Sequence, residues 1–142
     1  MRRVVLDSNV WISGIIIPGS TSSKLTSALI QGREQGITSN YILKEIERTL
    51  FSGRIRFKYQ LRREEILTLL WTLQNRLEVV VPVEPAFSMR DPTDLPILGT
   101  ALAGKATHLV TGDRDFLQDP NLLSWMREQG VLIISPSEFN LD

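Results

Sequence analysis

The chain has 142 residues, 42% of them apolar, with 16 Lys+Arg balanced by 16 Asp+Glu and no cysteine. That length and apolar content suffice for one folded domain spanning residues 1–142 with a sizeable core, and exclude wholesale disorder. The missing cysteine excludes disulfides, zinc–thiolate centres and thiol nucleophiles. No signal-peptide-like apolar run precedes Asp7, and no stretch approaches the ~18 apolar residues of a membrane span, so a soluble cytoplasmic protein is expected.

The zero net charge conceals an asymmetry. Residues 1–71 carry eleven Lys/Arg against six Asp/Glu, and residues 72–142 carry five against ten. Basic residues crowd into KEIERTLFSGRIRFKYQLRR (44–63), where Arg54, Arg56, Lys58, Arg62 and Arg63 are candidates for binding a phosphate backbone. The bland alternative is a solvated helix surface, or a dock for a protein partner. Acidic residues gather between 91 and 119. A molecule with a positive face and an acidic pocket can hold a polyanion on one and a metal in the other.

In chain order, RRVVLD (2–7) reads as a short strand running straight into a carboxylate. SSKLTSALIQG (22–32) has Leu25, Ala28 and Leu29 at helical spacing and Gly32 as a stop. GITS (36–39) is a short strand, after which Ser39 or Asn40 caps a helix with an apolar stripe of Ile42, Leu43, Ile46 and Leu50, ending near Gly53. A second amphipathic helix covers 61–77. LEVVVPV (77–83) reads as a buried strand closed by Pro82. DPTDLPILGTALAG (91–104) is a helix with Pro96 in its first turn, where a missing N–H costs nothing. THLVTG (107–112) is a strand, 119–130 a helix, and VLIIS (131–135) the last strand. Strands alternate with helices, and three strands are unbroken apolar runs, the pattern of a parallel sheet covered on both faces. The expected class is therefore an α/β three-layer sandwich.

In such sheets ligands bind at the carboxyl ends of the strands. Asp7 lies at one such end. VTGDRDF (110–116) repeats the device, with Asp113 and Asp115 directly after an apolar strand. Asp94 starts a helix, and Glu45 lies in the first turns of another, beside Ile42 and Ile46. Each has a plainer reading taken alone: a cap for Asp7, a first-turn charge for Asp94, a solvated helix residue for Glu45, turn residues for Asp113 and Asp115. Together they can converge on one sheet edge. Crowded carboxylates repel one another, and a divalent cation relieves that strain. With no cysteine and one histidine the ligands are hard oxygens, suited to Mg²⁺ or Mn²⁺, ions that serve phosphodiester chemistry. His108 reads as a satisfied strand residue, and Trp11, Trp71 and Trp125 as core or dimer contacts.

Asp7-Ser8-Asn9, Glu45 in a helix, Asp94 in DPTDLPILGTALAG and then VTGDRDF follow one another in an order that resembles PIN-domain ribonucleases, from Val4 to about Phe139. SNVWISGIIIPGSTSSKLTSAL (8–29) is similar to the first loop and helix of the branch of toxin components in bacterial and archaeal toxin–antitoxin systems, the VapC-like branch. The resemblance implies a central parallel sheet of four or five strands. It implies that Asp7, Glu45, Asp94 and Asp113 bind Mg²⁺ or Mn²⁺, with Asp115 as an accessory acid and Ser8 or Asn9 and Thr111 supporting by hydrogen bonds. It further implies endonucleolytic hydrolysis of single-stranded RNA by metal-activated water, a cognate antitoxin and a homodimer. Leu95 departs from the pattern, where an acidic or polar residue is usual.

Three other readings compete, the third being a DNA-directed nuclease with a related metal site, ranked below RNA because the chain has no long insertions for clamping a DNA branch. A haloacid-dehalogenase-like phosphotransferase also begins with a strand ending in Asp, but needs an acid two residues on, where this chain has Asn9. A catalytically inactive RNA- or protein-binding module on the same fold has no reason to keep mutually repelling carboxylates together.

Overall fold

The computed structural model describes residues 1–141. Five strands form one parallel sheet in the order β3-β2-β1-β4-β5: β1 (Arg3–Leu6), β2 (Gln35–Thr38), β3 (Glu78–Val79), β4 (His108–Val110) and β5 (Leu132–Ile134). β1 is central, its Val4 and Val5 in register with Gly36 and Ile37 on one side and with His108 and Leu109 on the other. The crossovers are α1 (Ser8–Ile16) with α2 (Thr21–Ile30), then α3 (Asn40–Phe51), α4 (Gly53–Lys58) and α5 (Arg63–Arg76), then α6 (Leu95–Ala103), then α7 (Arg114–Leu117) with α8 (Pro120–Glu128). The chain steps from β1 outward to β3 and then back through β4 to β5. Right-handed crossovers therefore put α1–α5 on one face and α6–α8 on the other, in keeping with α6 packing on β1, β2 and β4. This is the expected three-layer α/β sandwich. No helix of the described residues is long and apolar enough to cross a membrane.

The core lies on both faces of β1, whose Val4, Val5 and Leu6 are fully buried together with Ile37, Leu109 and Val110 of its neighbours. Ser39 caps α3, its hydroxyl accepting from the Ile42 N–H, and Ser20 caps α2 by accepting from Ser23 N–H. Gly32, with φ +76°, ends the α2 region in the left-handed conformation that favours glycine. His108 is satisfied as expected, its Nδ1 2.8 Å from the Thr107 hydroxyl.

The sequence expectations need correction in three places. Residues 8–16 form a helix that starts directly after Asp7 rather than a loop. The β-branched run there gives little helical signal, and the helix holds because Val10, Trp11 and Ile12 are buried and Gly14 allows close approach to α2. A Cβ at Gly14 would meet the Thr26 side chain at 2.6 Å and Ser22 O at 2.8 Å. The run 77–83 is not a buried strand. Only Glu78 and Val79 pair, on β2 alone, at the sheet edge, and Val81 is 85% exposed. The basic run contains a helix of its own, α4, and a four-residue helix, α7, follows Asp113. Among the tryptophans, Trp11 is core and Trp125 stacks on Phe87 at 5.3 Å, whereas Trp71 is 68% exposed.

The segment after β3 is held against α6 by the Val83 N–H, which donates to Gly99 O at 3.2 Å, and a side chain at Gly99 would collide with the Val83 carbonyl. That contact anchors the stretch leading to Asp94. Gly99→Ala should cost about 1–3 kcal/mol, measured as a drop in the urea midpoint, with the slope of the transition unchanged.

Candidate active site

Asp7 occupies the position that would cap α1, yet its carboxylate makes no capping bond. Its backbone is held by Val110 O, and its side chain is 4% exposed at the carboxyl end of the central strand. Two hydroxyls offset that burial: Thr111 Oγ1 donates to Asp7 Oδ2 at 2.8 Å and Ser8 Oγ lies 3.3 Å from Asp7 Oδ1. The same Ser8 hydroxyl lies 3.3 Å from Glu45 Oε1, which joins the carboxylates that follow β1 and β2. Thr111, fully buried, also accepts from the Asp113 N–H at 3.0 Å and so ties Asp7 to the turn after β4. Of the two candidates beside Asp7, Ser8 makes these bonds. Asn9 is exposed, and its side chain makes no hydrogen bond with any described residue.

Asp94 enters from the opposite face. Asp91 caps the 3-10 turn Pro92–Asp94 by accepting from Thr93, and Asp94 then stands at the head of α6, its carboxylate uncommitted to capping. Pro96 lies in the first turn of α6, as expected. Asp113 Oδ1 accepts from the Asp115 N–H at 2.8 Å, so part of its carboxylate caps α7 while the rest stays available. Asp94, Asp113 and Asp115 each offer a carboxylate oxygen within 4.8 Å of the other two. Asp115, expected only as an accessory, is thus a full member of the tightest acidic group. Asp7 and Glu45 form an adjoining pair linked through Ser8.

Electrostatics mark the strain of this arrangement. Burial raises the Asp7 carboxyl above its ordinary value, with Asp113 adding repulsion and the Thr111 and Ser8 hydrogen bonds opposing it. Burial and the Asp7 charge raise Glu45, while Arg48 opposes the rise. Asp94 is pushed up to about 6, first by burial and then by Asp113, Asp91, Asp7 and Asp115. None of the five has an ion-pair partner among the described residues, whose salt bridges join Arg2–Glu34, Arg3–Glu78 and Arg62–Glu65. A set of hard oxygens short of positive charge fits a divalent cation. Asp94, Asp113 and Asp115 are the side chains that would hold such an ion, with Asp7 and Glu45 beside them.

One contributor was not foreseen. Tyr41, one turn before Glu45, donates its hydroxyl to Thr93 O at 2.6 Å and pins α3 to the turn that carries Asp94. Glu45 and Asp94 both act on its titration, which places it beside the acids. The signal in the sequence is its i, i+4 spacing from Glu45.

A PIN-domain family model matches residues 3–115. This chain belongs to the PIN-domain family. PIN domains are generally nucleases and generally use divalent metals, which displaces the phosphotransferase alternative. The chain is 31% identical over 140 residues to the uncharacterized protein MJ1680 of Methanocaldococcus jannaschii, covering 96% of this chain and 88% of that one. Its fold is similar to a chain of VapBC2 from Rickettsia felis, solved bound to a DNA fragment from their promoter. That match has a TM-score of 0.57 and 17% identity, over 94% of this chain and 98% of that one. It is also similar to a chain of FitAcB from Neisseria gonorrhoeae, with a TM-score of 0.58 and 17% identity, over 96% and 99% of the two chains.

The raised Asp94 carboxyl gives a pH dependence of definite sign. Between its ordinary value of 3.8 and about 6, the folded state binds this proton more tightly than the unfolded chain does. The stability contributed by this group is therefore full below that window and falls as pH rises through it. In metal-free buffer Asp94→Asn should abolish this part of the pH dependence and stabilise the protein at neutral pH by ~0.5–2 kcal/mol, read from denaturant curves at several pH values.

Proposed function

We infer that this protein is a divalent-metal-dependent endoribonuclease that hydrolyses phosphodiesters of single-stranded RNA in the cytoplasm, and that it is the toxin of a toxin–antitoxin pair. The observation that carries the reading is the group of Asp94, Asp113 and Asp115 with Asp7 and Glu45 beside it, none of the five in an ion pair among the described residues. Asp7, Glu45, Asp94 and Asp113 would hold Mg²⁺ or Mn²⁺, with Asp115 completing the group around Asp94 and Asp113. When bound, the cation supplies a more acidic water and neutralises charge on the phosphodiester. Ser8 and Thr111 keep the Asp7 and Glu45 oxygens turned to the site, as hydroxyls supporting ligand carboxylates do. Tyr41 fixes the height of Asp94 relative to Glu45. An inactive binding module would gain nothing from holding Asp7 buried and Asp94 against its neighbours' charge.

A polyanionic substrate fits the surface beside the site. Arg48 is close enough to Glu45 and Tyr41 to act on their titration, and Lys44 and Arg48 line an open depression with Glu47, Phe51 and Ser52. The Arg56 and Arg63 guanidinium groups lie 5.8 and 6.0 Å from the Phe51 ring centre. A cationic strip thus leads from Glu45 along α3 to Arg54, Arg56, Lys58, Arg62 and Arg63, although Arg62 is itself paired with Glu65. The antitoxin partner is supported by the neighbours VapBC2 and FitAcB. A homodimer is supported by Leu67 and Trp71, exposed one turn apart on α5.

Three measurements test the reading. Mn²⁺ should bind the wild type in calorimetry, more weakly below pH 6 as Asp94 takes up its proton, and no binding at any pH would refute the metal site. Asp7→Asn should abolish Mn²⁺ binding and cut RNA cleavage by more than about 100-fold with the circular dichroism spectrum unchanged; equal cleavage by mutant and wild type would overturn the assignment. Reversing charge at Arg54 and Arg56 should raise the RNA Kd and flatten its dependence on salt.

A further inference from the structure

A second cleft adjoins the acidic cluster. It encloses about 310 Å³ and is lined by Arg90, Asp91, Arg114, Asp115, Gln118 and Asp119 among others. Asp115 belongs both to this cleft and to the triad with Asp94 and Asp113, so the two spaces share a wall. Two of the three carboxylates lining the cleft each have one oxygen committed to a local turn or cap, and none of the three is in an ion pair with either arginine. Asp91 accepts from the Thr93 N–H at 3.0 Å and from the Thr93 hydroxyl at 2.7 Å, and Asp119 caps α8 by accepting from the Leu122 N–H at 3.1 Å. Arg90 and Arg114 are both exposed, and neither side chain makes a hydrogen bond or ion pair with any described residue, although three carboxylates line the same cleft. The Gln118 amide, exposed on the same wall, is likewise uncommitted.

We propose that Arg90 and Arg114 form an anion subsite that holds a phosphate of the RNA strand flanking the one to be cleaved. The proposal rests on the nuclease reading of the neighbouring acids and adds where the strand lies. A guanidinium presents a planar fork of donors matched to two phosphate oxygens. The topology gives the direction. α3 with its cationic strip follows β2, Arg114 follows β4, and Asp7 stands between them at the end of β1. A strand crossing the acids therefore meets positive charge before and after them. Without the second contact, a flanking phosphate would face Asp115 and Asp91 with nothing to offset their repulsion.

The test is binding of a short fluorescent oligouridylate, measured in Ca²⁺ over a salt series for wild type, Arg90→Gln, Arg114→Gln, the double variant and Arg114→Lys. Each Arg→Gln change should raise Kd about tenfold and lower the slope of log K against log salt by about 0.7 for each phosphate that is no longer held. Arg114→Lys should restore the slope, and Mn²⁺ affinity in calorimetry should stay equal to wild type or rise. A wild type that binds RNA while the Gln variants keep its Kd and slope overturns the subsite, and points to an acidic protein partner for the cleft. Gln variants that lose Mn²⁺ affinity along with RNA overturn it too, because the arginines would then be supporting the acids. A wild type that binds no RNA overturns the nuclease reading itself.

Discussion

The structure depends on keeping the Asp7 carboxylate buried at the end of its central strand. A carboxylate almost wholly removed from water is costly unless hydrogen-bonded, and here the donors are two hydroxyls, from Ser8 and Thr111. Neither brings positive charge, so the negative charge is oriented but not neutralised. The same hydroxyls also reach outward, Ser8 to Glu45 and Thr111 to the Asp113 backbone. The segments after β1, β2 and β4 are thereby registered on one carboxylate, which sets Glu45 and Asp113 beside it.

The fold makes that arrangement possible. In a parallel sheet whose central strand is β1, the segments after β1, β2 and β4 all emerge at one edge. Short strands suffice, because three or four residues of β1 are flanked on both sides and covered by helices above and below. Asp94 is the exception, arriving at the head of α6 rather than at the end of a strand. It needs its own supports, namely the Asp91-capped turn, the Tyr41 hydroxyl and the Val83–Gly99 contact farther back. Its carboxyl is the one displaced to about 6, by burial first and then by the charges of Asp113, Asp91, Asp7 and Asp115.

How far the sequence revealed this depends on the kind of signal. Strands β1 and β4 were legible because burial on both faces writes apolar runs, β5 because it too is an apolar run although it lies at the sheet edge with Leu132 exposed, and α3 because one stripe of it is apolar and a serine precedes it. Asp7 stood out because an apolar strand runs straight into it, and the other acids stood out only in combination with it. The run at 77–83 misled for the converse reason: apolarity alone cannot tell a central strand from an edge segment that pairs on one side and then leaves the sheet. α1 was hidden by its β-branched residues, whose helix is imposed by packing on α2 through Gly14. The grouping of Asp115 with Asp94 was not legible, because sequence adjacency to Asp113 gives no hint that a one-turn helix brings it toward Asp94. The contrast between Ser8, which bridges two carboxylates, and the exposed Asn9 could not be read from two small polar neighbours.

The charge asymmetry between the two halves of the chain acquires a spatial meaning here. The basic half supplies the face over β2 and the acidic half the opposite face, and they meet at the sheet edge where Asp7 lies. Coulomb forces between the halves could have been satisfied internally, yet the described ion pairs include none of the five site acids and neither arginine of the adjoining cleft. Neutralising these groups within the chain would stabilise the folded protein and leave nothing to attract a cation or a polyanion. The unpaired charges therefore represent stability forgone at the edge where ligands reach an α/β sheet, with the hydrophobic core around β1 offsetting it.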